Sequence, residues 1–421
     1  MANVVIMTTG TNGDIAPFVG LGAGLRALGH EVSIAANDSA GPMVAAAGLP
    51  FHGLPGPDLS VVAASSVGEA AARPGIRGTR SLVKTAAAAM REPVPAMIAA
   101  ASGQDAILCT PSTVLLAAPI AEANRIPCAV LALQPITPTR EFSSIALGGR
   151  NLGRFANKTS ASLLGRVGVR MFASTVRALR EDLGLNARPG KGCAPADLAV
   201  LYGISTAVLT RPRDYPPAVD FAGYWWPRSM SQWTPSAELL RFLDDGPTPI
   251  YIGFGSAGAS RGAELSAIIT EALERSGHRA VVQRGWAGLT ISTPKVIVVD
   301  EIPHEWLFPK VAAVVHHCGA GTTATGLRYG RPAVPVPFAQ DQPFWAHRLQ
   351  ALGTAPAVLP AKRLRADRLA DALTTVTTNS TFAEHAADIG ARLANEDSVA
   401  AAARLIRRLI DEDAKAGDLT P

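Results

Sequence analysis

The first forty residues constrain the fold most. Asn3 to Thr9 is a short apolar run, and Gly10-Thr11-Asn12-Gly13-Asp14 is turn-forming. Phe18, Leu21, Leu25 and Leu28 then recur at helical spacing, Pro17 falls where a first helical turn accepts proline, and Gly29 stops the helix before a second apolar run, Val32 to Ala36. Strand, helix and strand in so short a span make a βαβ unit, whose crossover builds a parallel sheet. Further strands are expected at Ala106–Cys109, Cys128–Leu133 and Ala207–Leu209, with a polar, basic, helical stretch over about 140–190 between the last two.

Prolines and aromatics cluster next, in Arg211-Pro212-Arg213-Asp214-Tyr215-Pro216-Pro217 and Tyr224-Trp225-Trp226-Pro227, a composition typical of a stiff connector. The alternation then restarts, with strands expected at Ile250–Phe254, Ala280–Gln283, Val296–Val299, Ala313–His316 and Ala333–Val336. The pattern predicts two doubly wound α/β domains, 1–210 and 235–395, joined by a linker over 211–234 and followed by a C-terminal helix and tail over 396–421. A chain of 421 residues that is 48% hydrophobic and 17% charged can fill two such cores, which excludes a disordered or fibrous protein. Ligands of doubly wound sheets bind at the carboxyl ends of the strands, so the cleft between the domains is the expected site.

Cys109, Cys128, Cys193 and Cys318 are scattered without CxxC spacing, which argues against a zinc site or a disulfide framework and suits a reducing cytoplasm. The N-terminus lacks the basic flank of a secretory signal, and no run of about 18 apolar residues follows, so a cytoplasmic chain, at most peripheral to a membrane, is expected. The net charge of +5 is uneven: residues 1–215 hold 19 Lys and Arg against 13 Asp and Glu, and the rest hold 20 against 21. The excess falls in two helical patterns, Arg73, Arg77, Arg80, Lys84 and Arg91 within an arc of about 60°, and Arg166, Arg170, Arg177 and Arg180 within about 80° opposite Val167, Met171, Phe172 and Leu179. Each reads as a solvated helix face or as a contact with an anionic membrane. Nucleic acid is not expected as a partner, because no aromatics interleave with the basic positions.

Two glycine loops lie in the second half. Gly253-Phe254-Gly255-Ser256-Ala257-Gly258 has the GxGxxG spacing of a dinucleotide fingerprint, but Glu271 and Glu274, the acidic residues at about the right distance, fit better inside a helix than at a strand tip. His316-His317-Cys318-Gly319-Ala320-Gly321-Thr322-Thr323 leaves a strand and enters a helix through small residues, which lets backbone N–H groups and a helix terminus meet an anion. The plain alternative is a tight turn with a histidine satisfied by backbone. Asp341 and Gln342 then offer adjacent acceptor and amide groups suited to a polyhydroxylated ligand, or a helix cap by Asp341.

Pro303-His304-Glu305-Trp306-Leu307-Phe308-Pro309, His316 to Thr323 and Asp341 to Trp345 together resemble the donor-binding half of nucleotide-sugar glycosyltransferases of the GT-B fold. The likeness is strongest to the sterol glucosyltransferase-like and glycopeptide-antibiotic group, whose opening motif Thr8 to Phe18 also resembles, with Asn12 where arginine is commoner. It covers both ends of the chain and nearly all of 247–375. The resemblance implies that Asp14 is the general base, that Ser256, His317, Gly319, Gly321 and Thr322 hold the diphosphate, that Ile302 offers main-chain groups to the base, and that Asp341 and Gln342 bind sugar hydroxyls. Thr325 stands where plant relatives carry a glutamate for the ribose, which leaves uridine and deoxythymidine donors both open. Direct displacement would invert the anomeric centre, with a carboxylate taking the acceptor proton and donors on the far side stabilising the leaving diphosphate. The design calls for no metal or other cofactor. The expected partners are a nucleotide-sugar donor, with UDP-glucose expected, and a lipophilic hydroxyl acceptor such as a sterol, glycolipid or natural-product scaffold. The alternative is a catalytically silent accessory that binds nucleotide sugar or lipid.

Overall fold

The computed structural model describes residues 1–56, 89–227 and 233–417. The first sheet is built from β1 (Asn3–Met7), β2 (Glu31–Asn37), β3 (Phe51–Leu54), β4 (Ala106–Cys109), β5 (Cys128–Ala132), β6 (Ala199–Tyr202) and β7 (Val219–Phe221), in the order β3-β2-β1-β4-β5-β6-β7. Every neighbouring pair is parallel. The helices of this half are α1 (Asn12–Ala27), α2 (Gly41–Ala46), α3 (Val94–Ala101), α4 (Val114–Asn124), α5 (Arg154–Met171) and α6 (Ala173–Asp182). Both faces of the sheet are covered. Val5 and Met7 join one buried cluster and Val4 and Ile6 another, the period of two that a doubly covered parallel sheet requires.

The second sheet has the order β10-β9-β8-β11-β12, again all parallel, from β8 (Ile250–Gly253), β9 (Ala280–Gln283), β10 (Val296–Val299), β11 (Val314–His316) and β12 (Ala333–Pro335). Its helices are α7 (Ala237–Asp244), α8 (Gly262–Ser276), α9 (His304–Leu307), α10 (Ala320–Arg328), α11 (Gln342–Ala351), α12 (Ala366–Thr378) and α13 (Ser380–Ala394). The last helix, α14 (Ser398–Gly417), returns to the first half, where Ala402, Ala403, Leu405 and Ile406 are buried with Leu21 and Leu25 of α1. Trp225 packs into the same cluster beside Phe18. The two halves also share a core, because Phe344, Trp345 and Leu349 of α11 are buried in one cluster with Ala117 and Tyr202.

Four local readings are corrected. Ala207–Leu209 is not a strand: the Ser205 hydroxyl accepts the Ala207 N–H and the Ser205 carbonyl accepts those of Val208 and Leu209, so this apolar triplet is buried in a turn, and the strand of that region is β6. The first helix begins at Asn12, which puts Pro17 inside it, where it forgoes one main-chain hydrogen bond. The basic stretch 166–180 is two helices, because the chain breaks at Phe172 between α5 and α6. Arg180 does not share the exposed face of Arg166, Arg170 and Arg177; it is 2% exposed and forks onto Glu122 at 2.7 and 2.9 Å. Of the other basic pattern, Arg73, Arg77, Arg80 and Lys84 lie outside the described residues.

Candidate active site

Asp14 is the third residue of α1, at the carboxyl edge of the first sheet, where β1 hands over to the helix. Gly10 makes the fit possible. Its φ is +147°, its N–H donates to the buried Asn37 Oδ1 at 3.0 Å, and a Cβ built there would lie 2.7 Å from Asp14 Cβ. The Asp14 carboxylate is half-buried and takes two hydrogen bonds on Oδ2, from the Thr11 N–H at 2.9 Å and the Thr11 hydroxyl at 2.8 Å. Oδ1 takes none from the described residues. One oxygen therefore closes the first turn of the helix and the other is left to act.

The facing half presents its glycine loops along the carboxyl edge of the second sheet. Ser256 lies partly exposed in the turn after β8, and Ile302 lies after β10 and is 6% exposed. Gly319 is the N-cap of α10, Ala320 to Thr322 open that helix, and Gly321 is exposed there. A Cβ at Gly319 would stand 2.6 Å from His317 Nε2, so glycine is what lets the imidazole lie against the loop. Thr325 does not reach outward, since its hydroxyl donates to the Gly321 carbonyl at 2.9 Å.

The two histidines of this loop differ. His316 is the satisfied backbone partner: its Nδ1 accepts the Cys318 N–H at 3.1 Å in the core. His317 Nδ1 is buried and has no partner among the described residues. Burial lowers the pKa of His317 to about 4 and that of His316 to about 3, with the neighbouring His317 adding to the latter. At neutral pH His317 is an uncharged imidazole, which meets an anion as a hydrogen-bond donor and not as a cation.

Asp341 precedes α11, but its carboxylate makes no cap of that helix; Oδ2 accepts the Trp345 indole N–H at 3.0 Å. Burial lifts its pKa to about 6, the Trp345 bond works against this, and the Asp14 charge across the cleft pushes it further up. Gln134, just past β5, faces this carboxylate as well and lowers its pKa. Gln342 is half committed: its Oε1 accepts the Phe338 and Ala339 N–H groups at 2.8 and 3.2 Å, which fixes the turn and leaves the amide NH2 without an acceptor among the described residues. Gln134 is absent from the sequence reading, where a glutamine just past a strand end was the available signal, and Trp345 entered it only as the end of the Asp341 to Trp345 motif, with no role of its own. Among the described residues no group of three His, Cys, Asp or Glu is placed to hold a metal ion.

Residues 4–143 match the family described as glycosyltransferase family 28 N-terminal domain, and residues 279–408 match the erythromycin biosynthesis protein CIII-like, C-terminal domain. The O-mycaminosyltylonolide 6-deoxyallosyltransferase of Streptomyces fradiae is 32% identical over 96% of this chain and 96% of its own length. The chain belongs to the glycosyltransferases. The sterol 3-beta-glucosyltransferases UGT80A2 and UGT80B1 of Arabidopsis thaliana are 33% and 31% identical to this glycosyltransferase chain, over 88% and 96% of it, and the chain spans 60% and 68% of their lengths. Among solved structures, the glycotransferase of kitacinnamycin superposes with a TM-score of 0.71 at 19% identity, covering 97% of this chain and 98% of that one. The calicheamicin glycosyltransferase CalG4 superposes with a TM-score of 0.70 at 16% identity, covering both chains fully at 100%. These neighbours carry the GT-B fold, two Rossmann-like domains facing across a cleft, and this glycosyltransferase has the same architecture. The match to residues 4–143 takes in Asp14 and Gln134, and that to 279–408 takes in Ile302, His317 and Asp341.

Proposed function

We propose that the chain is an inverting, metal-independent transferase that moves glucose from UDP-glucose to a hydroxyl of a lipophilic acceptor, such as a sterol, a glycolipid or a natural-product scaffold. The observation that carries this reading is that the two halves share a core and bring together the carboxyl edges of their sheets, with Asp14 following β1 and Asp341 following β12, where the Asp14 charge adds to the rise of the Asp341 pKa. A sugar held at Asp341 then has an acceptor hydroxyl and its base on one side and the glycine loops on the other. The acceptor oxygen bonds to the anomeric carbon as its proton passes to Asp14, and the electron pair of the breaking C–O bond leaves with the diphosphate. Neutral His317, the N–H groups around Gly319 and Gly321 and the Thr322 hydroxyl would meet that developing charge. Gln342, through its free amide, and Asp341 would hold sugar hydroxyls.

The names of the relatives support a lipophilic acceptor: they act on sterols or a macrolide. Two similar solved glycosyltransferases, VinC and SsfS6, are in complex with thymidine diphosphate, so a deoxythymidine donor is the second arm of any donor test. Among the described residues no helix is long and apolar enough to cross a membrane. Peripheral contact with the anionic inner face is supported by Arg166, Arg170 and Arg177, which are exposed beside the equally exposed Phe155, Leu163, Val167 and Met171.

The test incubates purified protein with UDP-glucose or dTDP-glucose and a panel of sterols, glycolipids and macrolide aglycones, with and without a chelator. The expected product is a β-glucoside formed from the α-configured donor, undiminished by chelation. Donor binding without transfer to any acceptor would favour the silent accessory instead.

A further inference from the structure

One fully buried polar side chain of the first half, Asn157 of α5, has no part in the proposed chemistry. Its whole amide is spent on a single loop: Oδ1 accepts the Leu152 N–H at 2.8 Å, and Nδ2 donates to the Arg140 carbonyl and to Asn151 Oδ1, both at 3.0 Å. Entry and exit of the segment 140–152 are thereby tied to one residue, which is the closed neck of an Ω-loop. Asp214 pins the entry a second time, taking the Thr139 hydroxyl at 2.5 Å, the Arg140 N–H at 3.1 Å and the Lys158 ammonium at 3.1 Å. Further along, the Ser144 carbonyl accepts the N–H groups of Leu147 and Gly149 at 2.8 and 3.3 Å and turns the chain back.

A loop held so firmly at its base delivers its side chains to a fixed place. The Phe142 ring lies 5.2 Å from that of Phe344 in α11, centroid to centroid, with the planes tilted by 57°. Gly148 and Gly149, at φ +74° and +65°, pass over the same turn of α11. A Cβ built at Gly149 would lie 2.2 Å from Phe344 Cδ2, and one at Gly148 would lie 3.3 Å from Pro343 Cβ. Pro343 and Phe344 directly follow Asp341 and Gln342, and the chain that leads into the loop begins at Gln134, which faces the Asp341 carboxylate. The first half thus grips the turn of the second half that carries the proposed sugar contacts.

Resting on the transferase reading, we infer that this loop is a clasp that sets the sugar against Asp14, with Phe142 and Phe344 as its positioning residues. The contacts proposed for the nucleotide all lie on the second half, so donor binding does not need the clasp. Alignment does, because the anomeric carbon is held by one half and the base belongs to the other. A misplacement of about 1 Å between reacting groups is enough to slow a reaction by about 100-fold.

Turnover of the full chain with UDP-glucose or dTDP-glucose and the best acceptor of the panel above, beside calorimetric titration with the matching nucleoside diphosphate, tests this. Phe142→Ala should lower kcat by about 10- to 100-fold, while nucleoside diphosphate affinity and the KM for the donor stay within about twofold of wild type. Phe142→Tyr keeps the ring and should bring kcat back to within a few-fold of wild type. Adding Phe142→Ala to Phe344→Ala should cost little more than Phe344→Ala alone, because both act through one contact. The inference is overturned if Phe142→Ala turns over as wild type does, if kcat and nucleoside diphosphate affinity fall together, which marks a collapsed loop, or if the two losses multiply in the double variant. If the wild type transfers sugar from neither donor to any acceptor, the transferase reading fails first and this inference falls with it.

Discussion

Thr11 donates both its main-chain N–H and its hydroxyl to one oxygen of Asp14, at 2.9 and 2.8 Å. The pair closes the first turn of α1 and fixes the direction in which the second carboxylate oxygen points. Asp14→Asn keeps an acceptor for Thr11 but removes the basicity. Turnover should therefore fall by roughly 10² to 10⁴ while the melting temperature and UDP affinity barely change. Near-normal turnover in the variant would reduce Asp14 to a helix-capping role.

Asp341 has a folded pKa near 6 against an ordinary value of 3.8. A raised carboxyl pKa means that the folded state holds the proton more tightly, so between about 4 and 6 stability falls as pH rises, and the cost persists at neutral pH. Asp341→Asn removes that cost. Its melting temperature relative to wild type should be higher at pH 8 than at pH 4, and its KM for the nucleotide sugar should rise if Asp341 holds a sugar hydroxyl as proposed. A stability difference that does not vary with pH counts against a buried, strained carboxylate here.

His316 is buried and His304 and His317 are partly buried, and desolvation lowers their pKa values to about 3, 4 and 4. The unfolded chain binds these protons first, so stability is full above about pH 6.5 and drains as pH falls toward 4 or below, by on the order of 1.4 kcal/mol per pH unit for each histidine. His316→Asn, which leaves an oxygen to accept the Cys318 N–H, should make the acid limb shallower. Denaturant melts across pH 4 to 8 measure the slope, and an unchanged slope would contradict the assignment.

Arg180 and its sequence neighbours in the basic pattern should behave oppositely. Arg180→Gln strands Glu122, which is 15% exposed, without its guanidinium, and removal of one partner of such an ion pair costs about 3–5 kcal/mol. A clear drop in melting temperature is expected. Replacing Arg166, Arg170 and Arg177 with glutamine should leave stability near wild type and weaken sedimentation with anionic vesicles, each charge contributing roughly 1 kcal/mol. Equal vesicle binding by this triple variant and wild type would leave only a solvated face.

Gly319→Ala puts a methyl where 2.6 Å separates it from His317 Nε2. The imidazole must turn away, and if it donates to the diphosphate as proposed, UDP affinity should fall by roughly tenfold, or about 1.4 kcal/mol. Isothermal titration decides this, and unchanged affinity would separate His317 from the donor site.

The local grammar of this chain was legible because it rests on local physics. Short apolar runs between glycine turns and helical repeats can be laid only as parallel strands with crossovers, and β4, β9 and β10 occur over the very residues that pattern marks. The glycine loops were legible for the same reason, since small residues between a strand and a helix are a backbone requirement read directly from composition. Ala207-Val208-Leu209 misled because burial, not strand pairing, is all that three apolar residues specify, and Ser205 turned them. Arg180 misled because an angle around an ideal helix says nothing of a break at Phe172 or of Glu122, 58 residues away in sequence. The neutrality of His317, the two backbone bonds that occupy Gln342 and the approach of Asp341 to Asp14 were likewise beyond the sequence. A pKa depends on how much water is excluded and on which charges face the group, and both are made only when two separate sheets, whose carboxyl edges carry Asp14 and Asp341, are brought together by the shared core.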